Sequence, residues 1–300
     1  MAALSWTLLD DRGALEIAGA DRVAFLQGLV SNDVAKVAPA RAVHAALLTA
    51  QGRYLHDFFI IASGERFLLD AESARLDDLR RRLSLYRLRA KVTLADARER
   101  FEIAAAWGDG AARALGLPDE AGAAGMAAGG IAYVDPRLEA LGARLLVPKG
   151  QAQELGALGF AAAARVDYDR LRLALGVPDG SRDLAVEKAL LVESGFDEMN
   201  GIDWQKGCYI GQEITARMKH RGLAKKRLVP VAVEGDLPPP DTPVLLGDEE
   251  AGELRSGRDG AALALLRLEA MEKAAATGAA LSAGGAKLTP RKPAWAREPS

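Results

Sequence analysis

Lys206-Gly207-Cys208-Tyr209-Ile210-Gly211-Gln212-Glu213 contains the chain's only cysteine. Glycines on both sides permit backbone turns and close approaches that a Cβ forbids. Lys206, two positions before the thiol, is a cation of the kind that favours the thiolate, the form that acts as nucleophile and soft-metal ligand. The plain alternative for a lone cysteine is a small buried hydrophobe, but a basic, glycine-flanked turn suits one poorly. Downstream, residues 206–227 carry seven Lys or Arg (206, 217, 219, 221, 225, 226 and 227) against one acid, Glu213. Such a segregated patch suits a polyanion, be it a polyglutamate tail, a phosphate or RNA; otherwise it is a solvated connector.

Outward from this segment, residues 15–17 read as a short strand. A helix capped by Asp21 follows, its apolar face made of Phe25, Leu26, Leu29 and Val30. Residues 43–49 and 53–61 predict two strands joined at Gln51-Gly52, the second apolar on both faces at its end and therefore central. Within it, Asp57 shares a face with Leu55, Phe59 and Ile61, while His56 points the other way. A carboxylate buried there is either a structural hydrogen-bonded group or, with its pKa raised, a proton handler and an anchor for heterocycle N–H groups.

Leu76, Leu79, Leu83 and Tyr86 stripe a helix over 71–86. A strand is expected over 87–94, which puts Arg87, Arg89 and Lys91 on one face. Residues 80–91 hold six basic side chains and no acid, so an anion or neighbouring carboxylates must answer them. Residues 108–130, rich in Ala and Gly, predict only a weak helix with loops. Helix returns at 167–175, and a further helical turn or two is expected within 183–192. Glu193 ends the apolar run 189–192, where a carboxylate binds a ring N–H or caps a turn. From about 227, short β-rich pieces alternate with Pro and Gly turns, the pattern of a small barrel or sandwich. The domains expected are 1–222 and 223–300, the latter with a short tail.

Three hundred residues allow two or three domains. Hydrophobic residues are 49%, charged residues 27% and the net charge −2, so no global field recruits DNA or an anionic membrane. No apolar run approaches the roughly 18 residues that span a bilayer. With a single cysteine and no signal-peptide pattern, the cytoplasm is the expected compartment. Scattered His44, His56 and His220 cannot close a zinc site. Walker A, G-x-G-x-x-G and G-x-S-x-G segments are absent, which removes support for ATP, NAD and serine-hydrolase chemistry.

The octapeptide resembles the signature of the YgfZ family of folate-binding proteins, relatives of the glycine-cleavage aminomethyltransferase (T-protein). Phe25-Leu26-Gln27-Gly28-Leu29 with Ser31-Asn32-Asp33-Val34, residues 48–58, 86–92 and 167–172, and Gly201-Ile202-Asp203-Trp204 are similar to that family in the same order. The resemblance implies an α+β fold: two interleaved α/β subdomains with antiparallel sheets around a central pocket, then a C-terminal β-barrel. It further implies a tetrahydrofolate-binding factor for assembly, maturation or repair of [4Fe–4S] proteins. The partners implied are A-type cluster carriers and client enzymes, with a link to tRNA modification.

Cys208 is the functional residue by resemblance, as ligand of a transient cluster or as nucleophile. Asp57, Arg87, Arg89, Lys91, Glu193, Lys206, Tyr209, Gln212 and Arg217 are the residues assigned to folate. Two departures separate the chain from the aminomethyltransferases. His56-Asp57 stands where those enzymes carry paired aspartates, and Ala174 replaces a glutamate. Aminomethyl or other one-carbon transfer, with Asp57 as base, is therefore the alternative rather than the leading reading. An RNA-binding module built on the two basic clusters ranks last.

Overall fold

Strand Tyr54–Ser63 buries its first eight residues, as a strand covered on both faces must. It is an interior strand, second in a five-stranded sheet ordered Val43–Leu48, Tyr54–Ser63, Arg66–Glu72, Arg12–Ala18, Thr93–Asp96. His56 and Asp57 lie on opposite faces, as period two requires. The His56 ring nitrogen Nε2 meets Asp78 of helix Leu76–Leu85 at 3.0 Å. Burial, followed by the charge of Arg75, brings the His56 imidazole down to about 4.

A second, six-stranded sheet runs Ala161–Ala162, Ser5–Leu8, Phe101–Trp107, Ala143–Pro148, Gly130–Val134, Ala124–Ala127. Its pairings are antiparallel except that between Ser5–Leu8 and Ala161–Ala162. The computed structural model describes residues 2–297, in two units interleaved along the chain. Both sheets belong to the first, which comprises Met1–Ala50, Leu55–Arg165 and Met199–Gln212.

A buried ionic cluster joins these sheets. Asp70, on strand Arg66–Glu72, is fully buried and accepts bonds from Arg12 Nε at 2.7 Å, Arg144 Nε at 2.8 Å and the Tyr133 hydroxyl at 2.7 Å. Arg144 and Tyr133 come from the six-stranded sheet. Asp135 accepts bonds from Arg137 at 2.9 and 2.7 Å. The Phe59 ring lies 5.7, 5.0 and 4.5 Å from the guanidinium carbons of Arg12, Arg137 and Arg144, geometry at which cation–π attraction adds to the ion pairs. Burial acts to raise the Asp70 carboxyl, yet Arg12, Arg144 and Tyr133 outweigh it and hold the pKa below the usual carboxylate range.

Several sequence expectations are corrected. No strand covers 87–92. The chain turns there, and the strand begins only at Thr93, so Arg87, Arg89 and Lys91 do not share a sheet face. The Asp21 carboxylate caps no helix; it accepts the Lys91 N–H at 2.7 Å. Residues 183–192 form turns after a single 3-10 turn at Gly180–Arg182. The Ala/Gly-rich stretch holds a short helix, Ala111–Ala114, and the first strand of the hairpin Ala124–Ala127/Gly130–Val134.

The second unit comprises Gln51–Tyr54, Val166–Glu198 and Glu213–Ser300. Its closed barrel runs Lys226–Glu234, Ala261–Arg267, Glu249–Arg258, Pro243–Leu246, Leu281–Ala283, Ala286–Pro290, and the last strand pairs with the first. Closure leaves no edge strand to aggregate. Val231, Val244, Leu254 and Leu288 fill the interior, while helix Leu268–Thr277 is an element the sequence reading did not anticipate. Buried Arg172 donates to Asp169 at 2.6 Å, Asp183 at 2.9 Å and Ser256 Oγ at 2.7 Å, tying its helix to barrel strand Glu249–Arg258.

Asp70→Asn removes the carboxylate charge that buried Arg12 and Arg144 share, so it is expected to cost about 3–5 kcal/mol. Urea denaturation checks this; a loss below about 1 kcal/mol contradicts a central role for the cluster.

Candidate functional site

Residues 199–212 contain no strand and enter a helix only at Gln212, so their shape depends on side-chain anchors. Asp203 Oδ1 accepts the N–H groups of Gln205 at 2.7 Å and Lys206 at 3.0 Å, and its Oδ2 pairs with Lys36 at 2.5 Å. The Asp203 N–H donates to Ser31 O, Ser31 Oγ to Gly201 O, and the Ile210 N–H to Gly28 O. Lys206 Nζ donates to Val30 O and Asn32 O, both at 2.6 Å, and lies 5.1 Å from the Tyr209 ring centroid. The Gln212 side chain accepts the Tyr209 N–H at 3.2 Å. The loop is thereby fastened to residues 28–32, and it presents Cys208 exposed, as a free thiol.

Two expectations change here. Lys206 directs its bonds to carbonyls rather than serving simply as a cation beside the thiol. Burial brings its ammonium down to about 8, against the pull of Asp33 and Asp203. Of the two glycines, only Gly211 needs the freedom, with φ of +82°; a Cβ at Gly207 meets nothing.

Asp57 is buried, and its Oδ2 lies 3.1 Å from His44 Nε2. Burial drives the His44 imidazole pKa down despite Asp57. His44 lines a polar cleft of about 550 Å³ together with Asn32, Lys36, Asn200, Asp203 and Trp204, but Asp57 is not on that wall. Arg87, Arg89 and Lys91 lie on an exposed turn.

The second unit has its own cleft, of about 560 Å³, and Glu193 and Arg217 line it together. Leu190, Ile214, Met218, Leu223 and Leu265 supply apolar wall; Lys188, Lys225 and Lys226 join Arg217 as cations. These four cations have no carboxylate partner among the described residues. Glu193 Oε1 receives only long backbone bonds, from Lys225 at 3.4 Å and Lys226 at 3.3 Å. Glu253 also lines the cleft but is paired with Arg255 at 2.5 Å, which leaves Glu193 as the carboxylate without a cation among the described residues. An apolar slot with such a carboxylate and a cationic rim has the size and chemistry of a small-molecule site. Sequence reasoning selected Glu193 and Arg217 but not Lys188, which sits in a turn with no periodic signal.

The architecture defines the class first: an aminomethyltransferase-like fold. The glycine cleavage system aminomethyltransferase T from Bartonella henselae superposes with a TM-score of 0.78, covering 98% of this chain and 87% of that one at 15% identity. Residues 225–298 match the family described as CAF17, C-terminal beta-barrel domain. The chain is 36% identical to the human iron-sulfur cluster assembly factor IBA57, mitochondrial, over 294 residues, 88% of this chain and 78% of that protein. The mouse protein of that name is 34% identical over 90% and 80%; the Pyricularia oryzae homolog is 33% identical over 95% and 79%. The chain belongs to the IBA57 family of iron–sulfur cluster assembly factors. These relatives are mitochondrial proteins, a finding that overturns the cytoplasmic expectation.

Lys206→Met leaves the carbonyls of Val30 and Asn32 without their donor and is expected to cost about 2 kcal/mol. The pH dependence has a definite sign. Below about 8 the amine is charged in both states, and the cost of burying it is fully present. Between about 8 and the unfolded value the folded chain releases its proton first, so stability rises with pH. Denaturation from pH 7 to 10.5 is expected to show this rise in the wild type relative to the Met variant; parallel curves contradict it.

Proposed function

We propose that the protein acts in assembly, maturation or repair of [4Fe–4S] proteins as a tetrahydrofolate-binding member of the YgfZ group. In this reading Cys208 is the thiolate that meets iron. The observation that carries it is a sole cysteine held exposed on a loop anchored through Lys206, Tyr209 and Ile210. A thiolate is the ligand that iron–sulfur clusters take from proteins, and an anchored loop offers it at little ordering cost. A-type carriers and client enzymes are the partners this chemistry calls for.

Tetrahydrofolate fits the cleft of the second unit. The Glu193 carboxylate suits the N–H groups of a pterin, and Ile214, Met218 and Leu223 suit flat apolar rings. Lys188, Arg217, Lys225 and Lys226 suit glutamate carboxylates. When bound, the cofactor supplies ring nitrogens that carry one-carbon units. Tyr209 and Gln212 are assigned to support of the thiol loop instead of direct folate contact. The transferase alternative gains nothing from Asp57, which is buried against His44.

Cys208→Ser is expected to abolish rescue of [4Fe–4S] enzyme activity in a deletion strain, with folding and tetrahydrofolate binding unchanged. Full rescue sinks the thiol mechanism. Glu193→Gln is expected to weaken tetrahydrofolate binding, measured anaerobically by calorimetry, by roughly tenfold or more, the effect of losing one charged hydrogen bond. Equal affinity removes the folate assignment from this cleft.

A further inference from the structure

Residues 85–91, Leu-Tyr-Arg-Leu-Arg-Ala-Lys, turn between helix Leu76–Leu85 and strand Thr93–Asp96, and neither the cleft nor the thiol loop uses them. Leu88 is 88% exposed, Leu85 66% and Tyr86 43%. Single exposed leucines are ordinary; three large apolar side chains within four residues are not. Leu88 also has φ of +41°, unfavourable for a branched side chain. The turn is nonetheless well closed. Tyr86 N–H donates to Leu83 O, Arg87 N–H to Ser84 O and Ala90 N–H to Arg87 O, and the Lys91 N–H is held by Asp21. Buried Leu83 and Val92 flank it. This is a fixed knuckle with its apolar side chains outward.

Its charges are unanswered. Arg80, Arg81 and Arg82 of the same run pair with Asp77 and Asp78. Arg87, Arg89 and Lys91 have no carboxylate partner among the described residues, and no acid lies between Asp78 and Asp96. A ligand for this surface must therefore be apolar and anionic together.

We propose that the knuckle docks on an anionic lipid bilayer. Leu85 and Leu88 enter the boundary between headgroups and acyl chains, Tyr86 sits at headgroup level, and Arg87, Arg89 and Lys91 meet lipid phosphates. A protein partner is the weaker fit, because a projecting turn of seven residues is small beside the roughly 800 Å² each side of a standard protein interface supplies. A peripheral lipid contact needs only a few apolar side chains ringed by cations. The net charge of −2 does not oppose it, since charges beyond about 8 Å are screened at physiological salt. The expectation of no membrane contact came from that global charge and from the lack of a spanning run; neither bears on a local patch.

The test is co-sedimentation of the full chain with phosphatidylcholine vesicles, with and without phosphatidylglycerol. Binding is expected only to the anionic vesicles and to weaken as salt rises. At about fivefold per cation, replacing all three by Glu is expected to lower binding at least a hundredfold. Leu88→Gly, which suits the left-handed backbone and so preserves the fold, is expected to lose about tenfold. Cys208→Ser is expected to bind vesicles as the wild type does, which separates this proposal from the thiol mechanism. Equal binding to neutral and anionic vesicles, or by wild type and the triple variant, overturns it. No vesicle binding by the wild type, together with loss of [4Fe–4S] rescue by the triple variant, also overturns it, in favour of an acidic protein partner.

Discussion

The contact on which the first unit depends is Asp70 with Arg12, Arg144 and Tyr133. A carboxylate without solvent is tolerable only when every oxygen is answered by cations and donors, and here the answering groups come from a second sheet. The ionic geometry therefore prescribes how the two sheets face each other within that unit. Apolar packing favours burial but is indifferent to small shifts of register; a buried guanidinium–carboxylate set is not. Phe59, with three guanidinium groups near its ring, belongs to the same arrangement. The second unit repeats the device with Arg172, Asp169 and Asp183.

This use of charge bears on the candidate sites. Side chains that read as reactive from their types are often interior fasteners. Asp57 is met by His44, and Lys206 spends its ammonium on two carbonyls. What is left for chemistry is whatever the folded chain leaves unsatisfied: an exposed thiol, four cations around an apolar slot, and a turn with three cations and no anion.

Much of this was legible in the sequence, and the failures have physical causes. The interior strand Tyr54–Ser63 was found because Leu55, Phe59 and Ile61 alternate with other large apolar residues, and the barrel because Pro and Gly turns separate its strands at short intervals. The six-stranded sheet was largely invisible. Ala104, Ala105, Ala106, Ala132 and Ala143 build much of its buried surface, and alanine has neither the branching nor the bulk that marks a strand. The basic segment misled because alternation of Arg and Leu has period two whether or not a strand forms. The unpaired turn from Tyr86 to Val92 is fixed by backbone bonds and by Asp21, 70 positions from Lys91. Glu193 and Arg217 were identified singly, but only the fold puts them on one wall.

The solitary thiol has a consequence in coordination number. A four-iron cluster held by protein takes four thiolates, and this chain contains one cysteine. If Cys208 meets such a cluster, the other three thiolates must come from another molecule. The cluster is then always on loan, shared between donor and recipient, and its lifetime on this protein is set by the tenacity of the other three ligands.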